Sequence, residues 1–186
     1  MADTLNTKVI TGKARLSYVH IWEKYSQDEG DEKYSVSLII PKSDKKTIKK
    51  MEQAIENAAK NGKTKLGGKI PTNLKTPLRD GDDDRPEDEA YAKSFFVNCS
   101  SKTRPGIVDK DRNPVMDQEE VYSGCYCIVS VTMFAFNSNG NKGIACGLNN
   151  LMKISDGDPL GGRISAEQDF AEIDFSELGI DDDDLI

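Results

Sequence analysis

The sequence predicts a mainly β body, a small five-stranded barrel with one inserted helix and a long loop excursion, followed by an acidic C-terminal tail. Three observations carry this expectation. Apolar residues alternate with period two at 33–40 and again at 125–136, one stretch between them has helical spacing, and the charge changes sign near residue 155. Of the 32 acidic residues, eleven lie in 156–186, against one of the 25 basic residues, Arg163. Residues 1–155 then hold 21 acidic and 24 basic residues, so the formal charge of −7 conceals a body near +3 and a tail near −10. A chain of 186 residues suits one domain, 1–155, with the tail 156–186 outside its core.

The elements follow in order. Residues 8–23 read as a long first strand with Ile10, Ala14, Leu16 and Tyr18 in one phase; beyond Tyr18 the phase blurs through Val19, His20, Ile21 and Trp22, which predicts a bulge or bend. A polar turn containing Gly30 comes next. In 33–40, Tyr34, Val36, Leu38 and Ile40 alternate against Lys33, Ser35 and Ser37, and Pro41 ends the ladder. Ser43 or Asp44 can cap a helix whose apolar stripe is Ile48, Met51, Ile55 and Ala58 or Ala59, closed by Gly62. Its other face, with Lys45, Lys46, Lys49, Lys50 and Lys60, reads as solvated. Three glycines, three prolines and the acids Asp80, Asp82, Asp83 and Asp84 make 63–88 a loop that Leu74 and Leu78 pin down.

Strand character returns at 92–100. The longest signal is 125–136: its odd positions, Cys125, Cys127, Val129, Val131, Met133 and Ala135, form an apolar inner face, and its even positions mix polar groups with Tyr126, Phe134 and Phe136. A turn at 137–141 leads to a last strand from about Gly143 to Leu148, interrupted at Asn149 and Asn150 before 151–154. Five β regions and one helix predict an oligonucleotide-binding barrel.

Several functions are disfavoured. His20 has no acidic companion at catalytic spacing, and neither a nucleophile elbow nor a phosphate loop is present. Cys125 and Cys127, one residue apart in an apolar run, read with Cys99 and Cys146 as buried thiols, so no metal or cofactor is expected. No segment approaches the roughly 18 continuous apolar residues of a membrane span, and the opening residues lack a secretory pattern, so a soluble intracellular protein is expected.

What remains is binding. Single strands are held by cations that neutralise phosphates and by rings that stack on unpaired bases. The candidate rings are Trp22, Phe96, Tyr122, Tyr126, Phe134 and Phe136, with Tyr25 and Tyr91 behind them; the candidate cations are Lys13, Arg15, Lys24, Lys33, Lys102 and Arg104, with Lys75 and Lys93 behind. Trp22 and Phe96 are the preferred stackers, and no helix suits duplex readout. The tail, ending Asp181, Asp182, Asp183, Asp184, Leu185 and Ile186, combines charge with apolar side chains and suits a partner with a basic rim and an apolar pocket. It should also compete with nucleic acid for the cationic groove.

The chain resembles a family of phage and prophage single-stranded DNA-binding proteins first catalogued as a domain of unknown function. The resemblance spans roughly residues 6–175. It rests on Lys33-Tyr34-Ser35-Val36-Ser37-Leu38-Ile39-Ile40-Pro41-Lys42, Arg104-Pro105-Gly106-Ile107-Val108-Asp109, Tyr122-Ser123-Gly124-Cys125-Tyr126 and Gly143-Ile144-Ala145-Cys146-Gly147-Leu148-Asn149-Asn150, in that order. It implies the same barrel, sequence-independent binding of single strands, work in phage replication or recombination in the bacterial cytoplasm, and recruitment of replication or recombination proteins by the tail. The tail departs from replication single-strand binders that end in phenylalanine. Oligomeric state stays open, a dimer included, and the rival reading is a protein-interaction barrel without nucleic acid, with a metal-dependent nuclease behind it.

Overall fold

The computed structural model describes residues 4–26, 32–160 and 170–185. The predicted turn around Gly30, Arg163 and the terminal Ile186 lie outside the described residues. The fold is mainly β, with one mixed sheet and an inserted helix. Its strands are β1 (Lys8–Ile10), β2 (Ala14–Tyr25), β3 (Lys33–Pro41), β4 (Leu78–Asp80), β5 (Ser94–Ser101), β6 (Gly106–Val108), β7 (Tyr126–Ser138) and β8 (Asn141–Ser155); α1 is Lys45–Asn61 and α2 the single turn Gly81–Asp84. β7 pairs with β2, β2 with β3, β3 with β5, β5 with β8, and β8 again with β7, so the pairings return to the strand from which they start. β1, β4 and β6 add to β7, β5 and β8.

The described residues thus hold eight strands where five β regions were expected, and the differences have local causes. The strand expected over 8–23 is broken at Thr11, whose side chain turns inward and accepts from the Val129 amide at 3.0 Å. The adjoining Gly12 amide donates to the Thr47 hydroxyl at 2.8 Å. Across that break the phase inverts: Val9 is buried and Ile10 exposed. β4 sits in the stretch read as a loop, with Leu78 registered against Val97. The interruption expected at Asn149 and Asn150 is a bulge inside a continuous strand, since Ser130 faces Asn150 while Val131 faces Leu148. Asn149 is the extra residue, and its amide donates to the Thr132 hydroxyl at 2.9 Å.

The inner face is the one the alternation predicts. Cys125, Cys127, Val129, Val131, Met133 and Ala135 are all buried, together with Val36, Leu38 and Ile40 of β3 and Val97 and Cys99 of β5. Each such Val, Leu, Ile or Met contributes about 1.5–3 kcal/mol by leaving water. α1 closes this core with Ile48, Met51, Ala54, Ala58 and Ala59, packing on β1, β7 and β8. It starts where Asp44 accepts from the Thr47 amide at 3.3 Å, a side-chain cap for an otherwise unpaired donor. It ends at Gly62, where a Cβ would come within 2.3 Å of the Ala135 side chain.

A second, smaller cluster lies on the outer face of β3 and β5. Ile39 and Phe96, register partners, are covered by Tyr91 and, from the chain's exit, by Leu160. The segment 156–160, expected in the tail, is bonded to the body. Arg15 donates to the Asp158 carbonyl at 2.7 Å, Tyr122 to the Gly157 carbonyl at 2.9 Å, and the Leu160 amide to the Ser123 carbonyl at 2.8 Å. This strap crosses Gly124 so closely that a Cβ there would lie 2.1 Å from the Asp158 carbonyl oxygen. Gly124 is held at φ +117, a conformation only glycine adopts without strain.

Candidate nucleic-acid interface

Register decides which side chains share the outer face. Ser17, Ser37 and Asn98 form one cross-strand row. His20, Ser35, Ser100, Gly147, Thr132 and Lys8 form the next, running across six strands. A third row, Tyr126, Arg15, Ile39, Phe96 and Arg79, is the one that the strap and Tyr91 cover. Ser17 and Ser37 are buried, the Ser37 hydroxyl accepting from Tyr91 at 3.4 Å, so the open parts of these rows are floored by Ser35, Ser100, Gly147 and Asn98. Their lack of bulk lets a ligand approach the sheet, and their hydroxyls and amide offer hydrogen bonds to it.

Over the β2, β3 and β5 part of this floor lies a groove of about 680 Å³. Its rim carries rings and cations: Tyr18, His20 and Tyr25 from β2, Lys33 from β3, and Arg85 from the segment after α2. His20 and Tyr25 are stacked, with centroids 4.1 Å apart and planes within 8°. Partial burial lowers the His20 pKa and so favours the neutral ring. Tyr18 stands in the expected bulge, where the β2–β3 register shifts between Ser17 and His20. Its φ is +49, a left-handed conformation that costs a bulky residue about 1–3 kcal/mol. That kink turns the Tyr18 ring outward, 55% exposed, while Ile21 returns to the core.

The candidates read from sequence fall into separate groups. Lys33 is at the groove. Lys24 lies over the Tyr34 ring at 5.9 Å, and Arg104 over Trp22 at 5.6 Å. Trp22 is half-buried against the core and donates its indole N–H to the Val121 carbonyl at 3.2 Å. Lys102 is exposed just past the end of β5. Phe134 is exposed on the outer face of β7, its ring beside Gly147 of the open row, whereas Phe136 closes over Gly143. Lys13 lies over Tyr126 at 4.5 Å, but Arg15 and Tyr122 are engaged with the strap, and Tyr126 lies against Gly157.

Phe96 requires a correction. Its phase was read properly, yet it is 1% exposed, packed edge-on to Tyr91 and covered by the Arg85 guanidinium, so it is core. The groove residues Tyr18, His20 and Arg85 are not among the rings and cations that the sequence singles out for binding. The signals were present: the loss of phase beyond Tyr18, and one cation, Arg85, inside the acidic run 80–89.

Other groups are structural. Lys42 bridges Asp80 and Asp82, each at 2.9 Å, and with the Lys93 amide holds the Asp82 carboxyl below its usual range. The four cysteines are buried thiols; hydrogen bonding to Cys127 brings Cys125 down to about 7, while that bond and burial push Cys127 up. Among the described residues no group of three or more His, Cys, Asp or Glu could hold a metal ion, and no helix is long and apolar enough to cross a membrane. In the tail, Asp181, Asp182, Asp183 and Asp184 are exposed, and Leu185 ends a short 3-10 turn.

The family model described as Enterobacter phage Enc34, ssDNA-binding protein, matches residues 7–185. Protein p50 of Acyrthosiphon pisum secondary endosymbiont phage 1 is 27% identical over 179 residues, covering 91% of this chain and 96% of that protein. The single-stranded DNA-binding protein from bacteriophage Enc34, solved in complex with single-stranded DNA, superposes with a TM-score of 0.74 at 25% identity, over 86% of this chain and 97% of that one. The fold alone is shared with gp2.5 of bacteriophage T7, at a TM-score of 0.59 and 14% identity over 91% of this chain and 96% of that one.

Proposed function

Since the chain belongs to the Enterobacter phage Enc34 single-stranded DNA-binding protein family, we propose that it binds single-stranded DNA of any sequence and protects it during phage replication or recombination in the host cytoplasm. The observation that carries this reading is the groove outside β2, β3 and β5, where rings and cations surround a floor of small polar side chains. Stacking on rings is indifferent to base identity, and phosphate contacts carry no sequence information, so such a groove holds a strand without reading it. The protein works by binding and is not an enzyme. The cycle of pairings from β7 through β2, β3, β5 and β8 supports reading the body as a five-stranded oligonucleotide-binding barrel to which β1, β4 and β6 are added.

Titration with labelled oligo-dT and with duplex of equal length at two salt concentrations tests the function. Preferential binding of the single strand that weakens with salt is expected; equal or absent binding overturns the reading and leaves a protein-interaction module.

His20 adds a pH dependence. Its folded pKa is depressed, so folding favours the neutral ring; the associated stability is present above about pH 6.5 and is lost as pH falls through the lower folded value. Binding has the opposite sign, because a protonated imidazole in the groove attracts phosphate. Oligo-dT affinity should rise as pH drops from 7.5 to 5.5, and His20→Gln should remove the pH-dependent part measured by anisotropy.

The tail is assigned two roles. Asp181 to Asp184 with Leu185 and Ile186 recruit replication or recombination proteins, and the acids compete with DNA for the groove, near which Leu160 anchors the tail's root. Deleting 161–186 should raise low-salt affinity for oligo-dT, with the gain shrinking as salt increases. An unchanged affinity at both salt concentrations would remove the competition from the account.

A further inference from the structure

Arg85 is a cation with no ion pair among the described residues, although seven acids surround it in 80–89. Four of those acids are directed elsewhere: Asp80 and Asp82 toward Lys42, Asp84 toward Arg79, and Asp88 to the cap of the turn leading to Tyr91. The Arg85 guanidinium instead lies over three rings, 5.2 Å from the centroid of Tyr18, 4.8 Å from Tyr91 and 5.0 Å from Phe96. It also donates to the Tyr18 hydroxyl at 3.3 Å. Tyr91 and Phe96 are buried and stay in the core, but Tyr18 is the outward ring of the groove, held there by a strained backbone.

A guanidinium is flat, delocalised and suited to stacking on a ring, and it also binds phosphate through a fork of N–H donors. Both properties are in play at one place. The Arg85 guanidinium covers the Tyr18 ring, so a base stacking on that ring would have to displace it and would bring its own phosphate within reach. We propose that Arg85 holds the place of a nucleobase on Tyr18, and that DNA binding exchanges this ring contact for a phosphate contact. The inference rests on the proposed function and names the residue that couples base stacking to backbone capture. Held on the rings, the half-buried guanidinium makes no ion pair among the described residues, which leaves its N–H fork for the strand.

The test compares the full-length protein with its Arg85→Gln and Arg85→Lys variants, titrating oligo-dT and an abasic deoxyribose-phosphate strand of equal length across a salt series. On oligo-dT, Arg85→Gln should flatten the plot of log affinity against log salt by about 0.7, the value of one phosphate contact on a single strand. On the abasic strand, which offers nothing to displace Arg85 from Tyr18, wild type and Arg85→Gln should share one slope. Arg85→Lys, which keeps the charge but stacks poorly, should give the wild-type slope on oligo-dT and retain that contact on the abasic strand. Equal slopes for wild type and Arg85→Gln on oligo-dT would make Arg85 only a cover for Phe96. A slope difference that persists on the abasic strand would make it a plain phosphate contact. Either overturns the exchange, and both require wild-type binding to oligo-dT, whose absence would instead sink the proposed function.

Discussion

Replacing Phe96 with alanine should lower the free energy of unfolding by about 3–5 kcal/mol, the range for removing a large buried ring. The side chain is 1% exposed, meets Tyr91 edge-on at 5.0 Å and lies under Arg85. It packs with Ile39 and Leu160, which would lose these contacts. Domains of this kind have about 5–15 kcal/mol in total, so the loss should appear as a large drop in the urea midpoint. DNA binding by the variant should then track its folded fraction. A wild-type midpoint combined with weakened binding would show instead that Phe96 leaves the core to meet a base.

Tyr18 should behave in the opposite way. Its ring is 55% exposed and lines the groove. Tyr18→Ala is expected to weaken oligo-dT binding by about 1–3 kcal/mol, roughly 5- to 150-fold, while changing stability by no more than about 0.5 kcal/mol. Tyr18→Gly, which also relieves the left-handed backbone, should be at least as stable as wild type in thermal melts. Undiminished affinity in both variants would remove Tyr18 from the interface. The pair of residues separates two roles that one aromatic type can fill: Phe96 supports the sheet on which Tyr18 is displayed.

What was legible in the sequence depended on whether the determining residues are neighbours along the chain. The inner face of β7 was readable because alternation in 125–136 alone specifies it, and α1 because its stripe and its Asp44 cap are local. The bulge at Tyr18 showed as a loss of phase, though not which ring it would turn outward. Phe96 was misassigned because its phase is local but its cover is not: Leu160 arrives from the far end of the chain. β4 has three residues in a segment rich in glycine and proline, too few for any period to emerge. Arg15 was read as a phosphate contact from charge alone, yet it donates to backbone carbonyls of Gly124 and Asp158 that only the folded chain brings near. The groove combines side chains from three strands with Arg85 from a loop, and its composition becomes visible only through register.

The strap also fixes where the molecule can be cut. A protein shortened to end at Ser155, the limit suggested by charge, would lose the Asp158 carbonyl that Arg15 bonds, the Gly157 carbonyl that Tyr122 bonds, and the Leu160 side chain packed on the outer aromatic cluster. One shortened to end at Leu160 keeps all three. The change in charge and the last contacts with the body therefore fall at different positions on this chain, and the first acids of the C-terminal segment lie within the contacting strap.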